Sequence, residues 1–298
     1  MTFRQRLDRI MAAQDRNILS ITDNYERDML RVVSNANARA IYYLSNQLQT
    51  DRDGKVLSTA ANRTVLRKLN RLFLDWMNES GFEIANARLI AQFGGYEPPS
   101  FVQVLDLINE NIKNKLTFPK WMKADIQAFQ GIKIATVDVL EGAVSIAAEN
   151  AMRQALFAVG GLRFEDLTDL MGRSLDKTVA ETRTLASTAV STYYRTIHAR
   201  GFERIQQENP ELQLRYSYEG PIDKLTRPWC AKIARKSRSG RTYTRSEIDA
   251  FADDPERGKS QPPQPFYTGG GYNCRHQWIL FIPEDRNAVK GRRKLPKP

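Results

Sequence analysis

The sequence of 298 residues contains only two cysteines and two histidines. Two cysteines are too few for a secreted domain held together by several disulfides, so the sequence indicates a reducing compartment. The two histidines are His198 and His276, and residues 1–170 therefore contain no histidine-based metal motif. The same residues lack a glycine-rich phosphate-binding loop. These absences argue against an enzyme domain in the first half of the chain.

The sequence also lacks an uninterrupted apolar stretch. Its most apolar segment is Gly131–Ala151, and four charged residues interrupt it: Lys133, Asp138, Glu141 and Glu149. A bilayer-spanning helix does not tolerate four charges in that length, so we expect a buried helix and no membrane partner. Residues 1–9 alternate charged and apolar residues and do not resemble a secretory signal.

The overall composition is that of a soluble globular protein of one or two domains, with 41% hydrophobic and 27% charged residues. The net charge is +11. Most of this excess comes from residues 206–298, which contain 18 Lys and Arg against 11 Asp and Glu. A basic excess attracts polyanions, of which nucleic acid is the most obvious, although it also serves simply as a solubilising surface.

The first two thirds of the chain predict long amphipathic helices, because apolar residues recur there at steps of three and four. Gly81 lies inside the second helix, where it weakens the helix without breaking it. A short helix closes near Gly172, and the clearest helix begins at Ser174. Ser100 begins a further helix, with Gln103 as its capping-box partner. The stretches predicted as helices from the periodicity are 18–48, 66–87, 132–159, 162–170 and 174–205.

The pattern changes after Pro210, where shorter elements begin. Alternation predicts one strand over 212–218 and another over 274–282. Between them, Thr226 is expected to cap a short helix, and Thr244 with Glu247 forms a capping box for another. The fold class predicted from the sequence is therefore mainly α, with long amphipathic helices followed by a small C-terminal α+β module.

Cys230, Cys274 and His276 are the residues of this module with the richest chemistry. Strand alternation places Cys274 and His276 on one face. Three interpretations are open: a buried apolar cluster with neighbouring tryptophans, a disulfide between the cysteines, or a zinc site with Asp223 as fourth ligand. Zinc is the one cofactor that the sequence suggests.

Each of these residues also has an ordinary structural interpretation. Asp223 follows Gly220-Pro221, and we expect it to accept backbone hydrogen bonds in a turn or to pair with Arg227. A nucleophilic Cys–His pair needs an oriented base and an oxyanion hole. The loop Gly269-Gly270-Gly271 could supply amides for such a hole, but a tight turn is the commoner use of such glycines. We therefore predict no catalytic residues. His198 lies in a helix and is expected to be a packed or surface histidine.

The last residues, 286–298, contain six Lys or Arg and no acidic residue. This composition predicts a flexible basic tail that contacts the phosphates of double-stranded DNA, or that only solubilises the protein. The residues predicted to contact nucleic acid are Lys290, Arg292, Arg293, Lys294 and Lys297.

The C-terminal module has an ordered motif: Asp223, then Thr226-Arg227, then Cys230, a short helical insert, and finally Asn273-Cys274-Arg275. In this order the motif resembles the phage Mu F-like minor head protein family, and the resemblance covers about residues 174–282. Many members end the motif with His-Pro-Asn-Cys-Arg-Cys. Here Tyr272 stands near the usual His and His276 replaces the last Cys.

This resemblance implies a non-enzymatic structural protein of a tailed-phage head. It would lie at the portal vertex, contact the portal protein, other head proteins and packaged DNA, and aid head assembly, DNA packaging or ejection after assembly in the host cytoplasm. The implied organisation is a helical region over 1–173, the F-like module with its leading helix over 174–285, and the tail over 286–298. The alternative function is a zinc-stabilised DNA-binding protein without a role in a virion.

Overall fold

A computed structural model describes residues 1–112, 115–158, 162–258 and 261–281. The protein is mainly α-helical, with long helices and a small α+β module near the C-terminal end of the described residues, as the sequence predicts. None of the helices described is both long and apolar enough to cross a bilayer. The elements are, in chain order, α1 (Phe3–Gln47), α2 (Ala60–Glu79), α3 (Phe82–Gln92), α4 (Pro99–Asn109), α5 (Lys123–Ala158), α6 (Phe164–Glu208), β1 (Arg215–Glu219), α7 (Pro228–Arg238), α8 (Arg245–Asp249), a 3₁₀ turn (Ala250–Asp253), α9 (Pro265–Thr268) and β2 (Gln277–Phe281).

The chain forms two compact units, and each is assembled from separated segments. The first contains Met1–Ile18, Gly94–Ile132 and the residues from Val190 onward. The second contains Leu19–Phe93 and Lys133–Ala189. Helices α1, α5 and α6 therefore each contribute residues to both units. The division at residue 174 rests on the family resemblance and stays a prediction.

The second unit has a helical core. Thr59 caps the start of α2 by accepting a hydrogen bond from the Asn62 amide at 3.1 Å. The single helix predicted over 66–87 is wrong, because α2 ends at Glu79 and α3 begins at Phe82. Gly81 lies between them with φ of 100°, a conformation that glycine adopts readily and that interrupts a helix. Within this unit Tyr25 donates a hydrogen bond to Asn86 at 2.9 Å.

The first unit contains the α+β module. Strands β1 and β2 pair antiparallel, with Tyr218 opposite Trp278. All residues of β1 and β2 except the outermost pair, Arg215 and Phe281, are buried. The strand pair, α7 and α4 share one apolar core with the last part of α6. This core holds the residues on which the functional interpretation depends.

Two of the predicted helix boundaries lie inside α6 and are wrong. It runs without a break from Phe164 to Glu208, so neither the closure near Gly172 nor the start at Ser174 is right. Gly172 has open space around its Cα and sits inside the helix. Interior glycine weakens a helix by about 1 kcal/mol, which is too little to end one that tertiary packing supports.

Three helix caps were predicted from the sequence, and one of them is present. The capping box of Thr244 and Glu247 is confirmed, with reciprocal hydrogen bonds at the start of α8. Thr226 does not cap α7, whose cap residue is Arg227, and Pro228 occupies the first turn. The cap predicted at Ser100 is also wrong, since α4 already begins at Pro99.

Candidate metal centre

Cys230, Cys274 and His276 come together in the core of the first unit, and we call them the thiol cluster. The two Sγ atoms are 3.8 Å apart, and the Sγ of Cys274 is 3.9 Å from Nδ1 of His276. One donor atom from each residue lies within 4.8 Å of the others, and all three residues are buried. These donors are therefore close enough together to hold a metal ion.

The backbone brings the cluster together from two directions. Cys230 lies in the first turn of α7, directly after Pro228 and Trp229. Cys274 lies in a tight turn, where its amide donates to the Gly271 carbonyl at 3.2 Å, and Asn273 before it has φ of 52°. His276 directly precedes β2. The prediction that Cys274 and His276 lie on a strand is thus wrong, although they do point to the same place.

Gly270 is required where the two segments meet. A Cβ at this position would lie 2.3 Å from the Sγ of Cys230 and 3.2 Å from that of Cys274. Every side chain begins with a Cβ, so glycine alone leaves room for both sulfurs. Its amide also donates to the Sγ of Cys274 at 3.2 Å, and the His276 amide donates at 3.4 Å.

The environment favours a thiolate at Cys274. The hydrogen bond from Cys230 lowers the pKa of Cys274 well below its usual value, and His276 and Arg195 act in the same direction, against the effect of burial. The hydrogen bond with Cys274 and burial raise the pKa of Cys230. The two thiols therefore share a proton in such a way that Cys274 is the anionic partner. Thiolates are the form of cysteine that binds metals.

Aromatic side chains separate the cluster from solvent. The Tyr218 ring stacks on His276 with an interplanar angle of 13°, and it contacts the rings of Trp229 and Trp278 at centroid distances of 5.6 and 4.5 Å. The indole of Trp278 donates to the Pro265 carbonyl at 3.0 Å. The predicted apolar environment with both tryptophans is confirmed.

Asp223 does not belong to the thiol cluster. Its carboxylate accepts hydrogen bonds from the Leu225 amide at 2.9 Å and from Arg275 at 2.6 and 2.7 Å. The prediction of Asp223 as a fourth ligand is therefore wrong, because the residue caps an exposed turn. The turn interpretation is correct, but the charged partner is Arg275. Arg227 instead donates to the carbonyls of Gly270, at 2.6 Å, and Tyr272.

Both cysteines are free, and their separation of 3.8 Å is far longer than a disulfide bond of about 2.05 Å. His198 is packed in the core beside Ser100, with 3.1 Å between Nε2 and the hydroxyl, as a packed histidine is expected to be. The predicted DNA-contacting residues of the tail, 290–297, lie outside the described residues.

Two residues beside the cluster were not predicted from the sequence. Tyr218 lies on β1, and alternation with Tyr216 was the signal that could have assigned it to the core. Arg195 lies on α6, where it is buried and donates to the Cys274 carbonyl. The periodicity gave no signal for this, because residues 193–199 of α6 are buried on every side.

The chain was compared with protein-family models, with curated proteins and with solved structures, and no match was found in any of the three.

Proposed function

We propose that this protein is a structural minor head protein of a tailed phage that acts at the portal vertex, and that zinc closes its C-terminal module. The proposal joins the resemblance to the Mu F-like family with the arrangement of the motif residues. The proposed role requires no catalytic activity of the protein. The long helices suit docking against an oligomeric ring of portal subunits.

The main support for the proposal is that the motif residues lie close together in the fold although they are separated in sequence. Cys230 and Cys274 are 44 positions apart and their sulfurs touch. Arg275 forms a bidentate ion pair with Asp223, and Arg227 binds the carbonyls around Gly270. These contacts hold the two ends of the module together, so a structural role accounts for each of them.

Burial supports a structural rather than a catalytic role for the thiol cluster. Cys230, Cys274 and His276 are at most 4% exposed. A nucleophile must meet its substrate, whereas a structural metal site is closed.

The donor spacing supports zinc. Two sulfurs that each lie about 2.3 Å from a tetrahedral zinc ion are about 3.8 Å apart, which is the separation observed here. The ring nitrogen of His276 nearest to Cys274 is Nδ1, which lies 3.9 Å from its Sγ. Backbone amides that donate to a cysteine sulfur stabilise it as a thiolate, and the Sγ of Cys274 accepts two of them.

Mass spectrometry and immunogold labelling of purified heads test the virion role. We expect a small number of copies per particle, with label at the portal vertex. A chain that is abundant in the lysate but absent from particles overturns the proposal. Metal analysis of the purified protein tests the zinc separately, and we expect about one zinc per chain that is lost in Cys274→Ser.

A second candidate function is a zinc-stabilised DNA-binding protein outside a virion. Helix α7 and the turn after it carry five cations: Lys232, Arg235, Lys236, Arg238 and Arg241. All five are exposed, and in the described part of the chain Arg235 and Lys236 form no ion pair. Such a surface attracts DNA phosphates. High duplex affinity in a protein that is absent from particles would favour this function.

A further inference from the structure

The thiol cluster supplies three protein donors, whereas a structural zinc site has four. Asp223, the fourth ligand expected from the sequence, lies in an exposed turn and is paired with Arg275. In a closed, buried site the fourth donor is a further residue of the protein rather than water. The described residues around it provide one that belongs to neither the motif nor the predicted ligands.

That residue is Tyr218 on β1. Its hydroxyl lies 3.6 Å from the Sγ of Cys230 and 3.4 Å from the Sγ of Cys274. The residue is fully buried. The two sulfurs are the only hydrogen-bond partners described for this hydroxyl. The oxygen therefore points into the cluster rather than past it.

Four distances between these donors are close to those expected around a tetrahedral zinc ion. Donors that lie about 2.0 to 2.3 Å from a tetrahedral zinc ion are about 3.3 to 3.8 Å from one another. The distances described here are 3.8 Å between the sulfurs, 3.6 and 3.4 Å from the phenol oxygen to them, and 3.9 Å from Cys274 to His276. The phenol oxygen thus occupies the place that the missing ligand would take.

Two cationic side chains lie beside the cluster. Arg195 and Arg257 are both buried and both lie near the cluster.

Their hydrogen bonds go to neutral groups. Arg195 donates to the Cys274 carbonyl and to the Thr192 hydroxyl, and Arg257 donates to the carbonyls of Gly269 and Pro262 and to the Thr268 hydroxyl. Among the described residues, neither arginine pairs with a carboxylate. Zinc with two thiolates and a neutral histidine has no net charge, whereas a phenolate gives the complex a charge of −1 that these cations stabilise.

We propose that Tyr218 is the fourth zinc ligand, bound through its deprotonated Oη and completing a tetrahedral site with Cys230, Cys274 and His276. This inference rests on the zinc site of the proposed function. On binding, Zn²⁺ replaces the phenol proton and the remaining thiol protons, which pass to solvent. The site is then built from β1, α7 and the turn before β2, so that one ion joins all three.

Ultraviolet difference spectroscopy tests this inference on the full-length protein. Addition of Zn²⁺ to the metal-free wild type should produce the absorption of about one tyrosinate per bound zinc, although the chain has 11 tyrosines. Tyr218→Phe removes only the oxygen and should abolish this signal. Tyr243→Phe is the matched control, because Tyr243 is also buried in this core and its hydroxyl has no hydrogen-bond partner among the described residues.

Substitution with Co²⁺ gives a second readout. The visible bands of the Co²⁺ protein report its ligand set, and we expect them to change in Tyr218→Phe and to stay unchanged in Tyr243→Phe. Zinc affinity in a competition assay should fall by about 10- to 100-fold or more in Tyr218→Phe.

The outcomes separate the two proposals. If the wild type binds zinc without a tyrosinate signal, Tyr218 only donates a hydrogen bond to the thiolates and this inference is overturned, while the zinc site stands. If the wild type binds no zinc, the zinc site itself fails. Should Tyr218→Phe not fold, the spectrum of the wild type decides alone.

Discussion

At the scale of single residues, the core of the first unit contains a histidine that stays neutral. Burial lowers the pKa of His198 to about 3, against about 6.5 for an unperturbed histidine. Between these values the unfolded chain binds a proton that the folded protein does not bind. The free energy of unfolding should therefore fall as the pH drops below about 6.5, by about 1.4 kcal/mol per unit, and this loss is absent at higher pH.

Urea unfolding at pH 7 and pH 5 checks this prediction, with His198→Gln as the comparison. The amide of glutamine can still bond to Ser100 but does not titrate. We expect the wild type to lose about 2 kcal/mol more than the variant between the two pH values. Equal losses in both proteins would show that His198 is not the group responsible.

Cys274 supports a second prediction at this scale. Cys274→Ser replaces a buried sulfur by a smaller and more polar hydroxyl, and we expect the free energy of unfolding to fall by about 1–3 kcal/mol. Chemical denaturation measures the change. A chelator should destabilise the wild type and leave the variant unaffected, because the variant has already lost the ligand. A variant as stable as the wild type would contradict the role of the cluster in closing the module.

At the scale of elements, α6 offers a comparison between two glycines of one helix. Gly201 faces Phe101, and a Cβ there would lie 2.3 Å from the ring. Gly172 has open space around it. We expect Gly201→Ala to lower the free energy of unfolding by about 1–3 kcal/mol through overpacking, and Gly172→Ala to raise it by about 0.5–1 kcal/mol through helix propensity.

Thermal or urea unfolding of the two variants measures both effects. The result for Gly172→Ala also tests the continuity of α6. A glycine that ends a helix usually has positive φ, and alanine at such a position is destabilising. A loss of stability in Gly172→Ala would therefore favour the two separate helices that the sequence suggested.

The interiors of the helices were easier to predict from the sequence than their boundaries. Helical periodicity predicted the helix interiors, because it depends on which face is buried. The predicted helix boundaries were wrong at two glycines. Gly81 interrupts a helix and Gly172 does not, although both lie within apolar stripes. The difference lies in tertiary packing, which the local sequence does not contain.

The same limit applies to the thiol cluster. Its three members could be named because cysteine and histidine are rare in this chain and appear in an ordered motif. Tyr218 and Arg195 could not be assigned to it, since the chain has 11 tyrosines and many arginines and only the folded core selects among them. Asp223 was chosen for its chemistry, yet its turn keeps it at the surface.

At the scale of the whole molecule, the basic excess predicts contact with DNA. Arg235→Gln combined with Lys236→Gln should reduce the salt dependence of duplex binding by about two units of log–log slope, if each cation neutralises one phosphate. The matched control is Arg67→Gln with Lys68→Gln, which removes the same charge from exposed positions of α2. Equal effects of the two pairs would mean that only net charge matters.

Deletion of Lys290–Pro298 tests the tail in the same assay. We expect weaker binding and a flatter salt dependence, because the deleted segment contains five cations and no acidic residue. The salt titration should be carried out on the zinc-loaded protein, so that both variants are compared in the same folded state. An unchanged slope would show that the tail only solubilises the protein.

The assembly of the first unit from separated segments has a consequence for synthesis on the ribosome. Residues 1–18 find their partners near the other end of the chain: Arg4 pairs with Glu219, and Asp15 with Arg275. Nascent chains emerge at about 5–20 residues per second, so the first turns of α1 must wait on the order of ten seconds or more for those partners. Leu7 and Met11 belong to the apolar core that the late residues complete, so this is the period in which a chaperone or an assembly partner would first meet the chain.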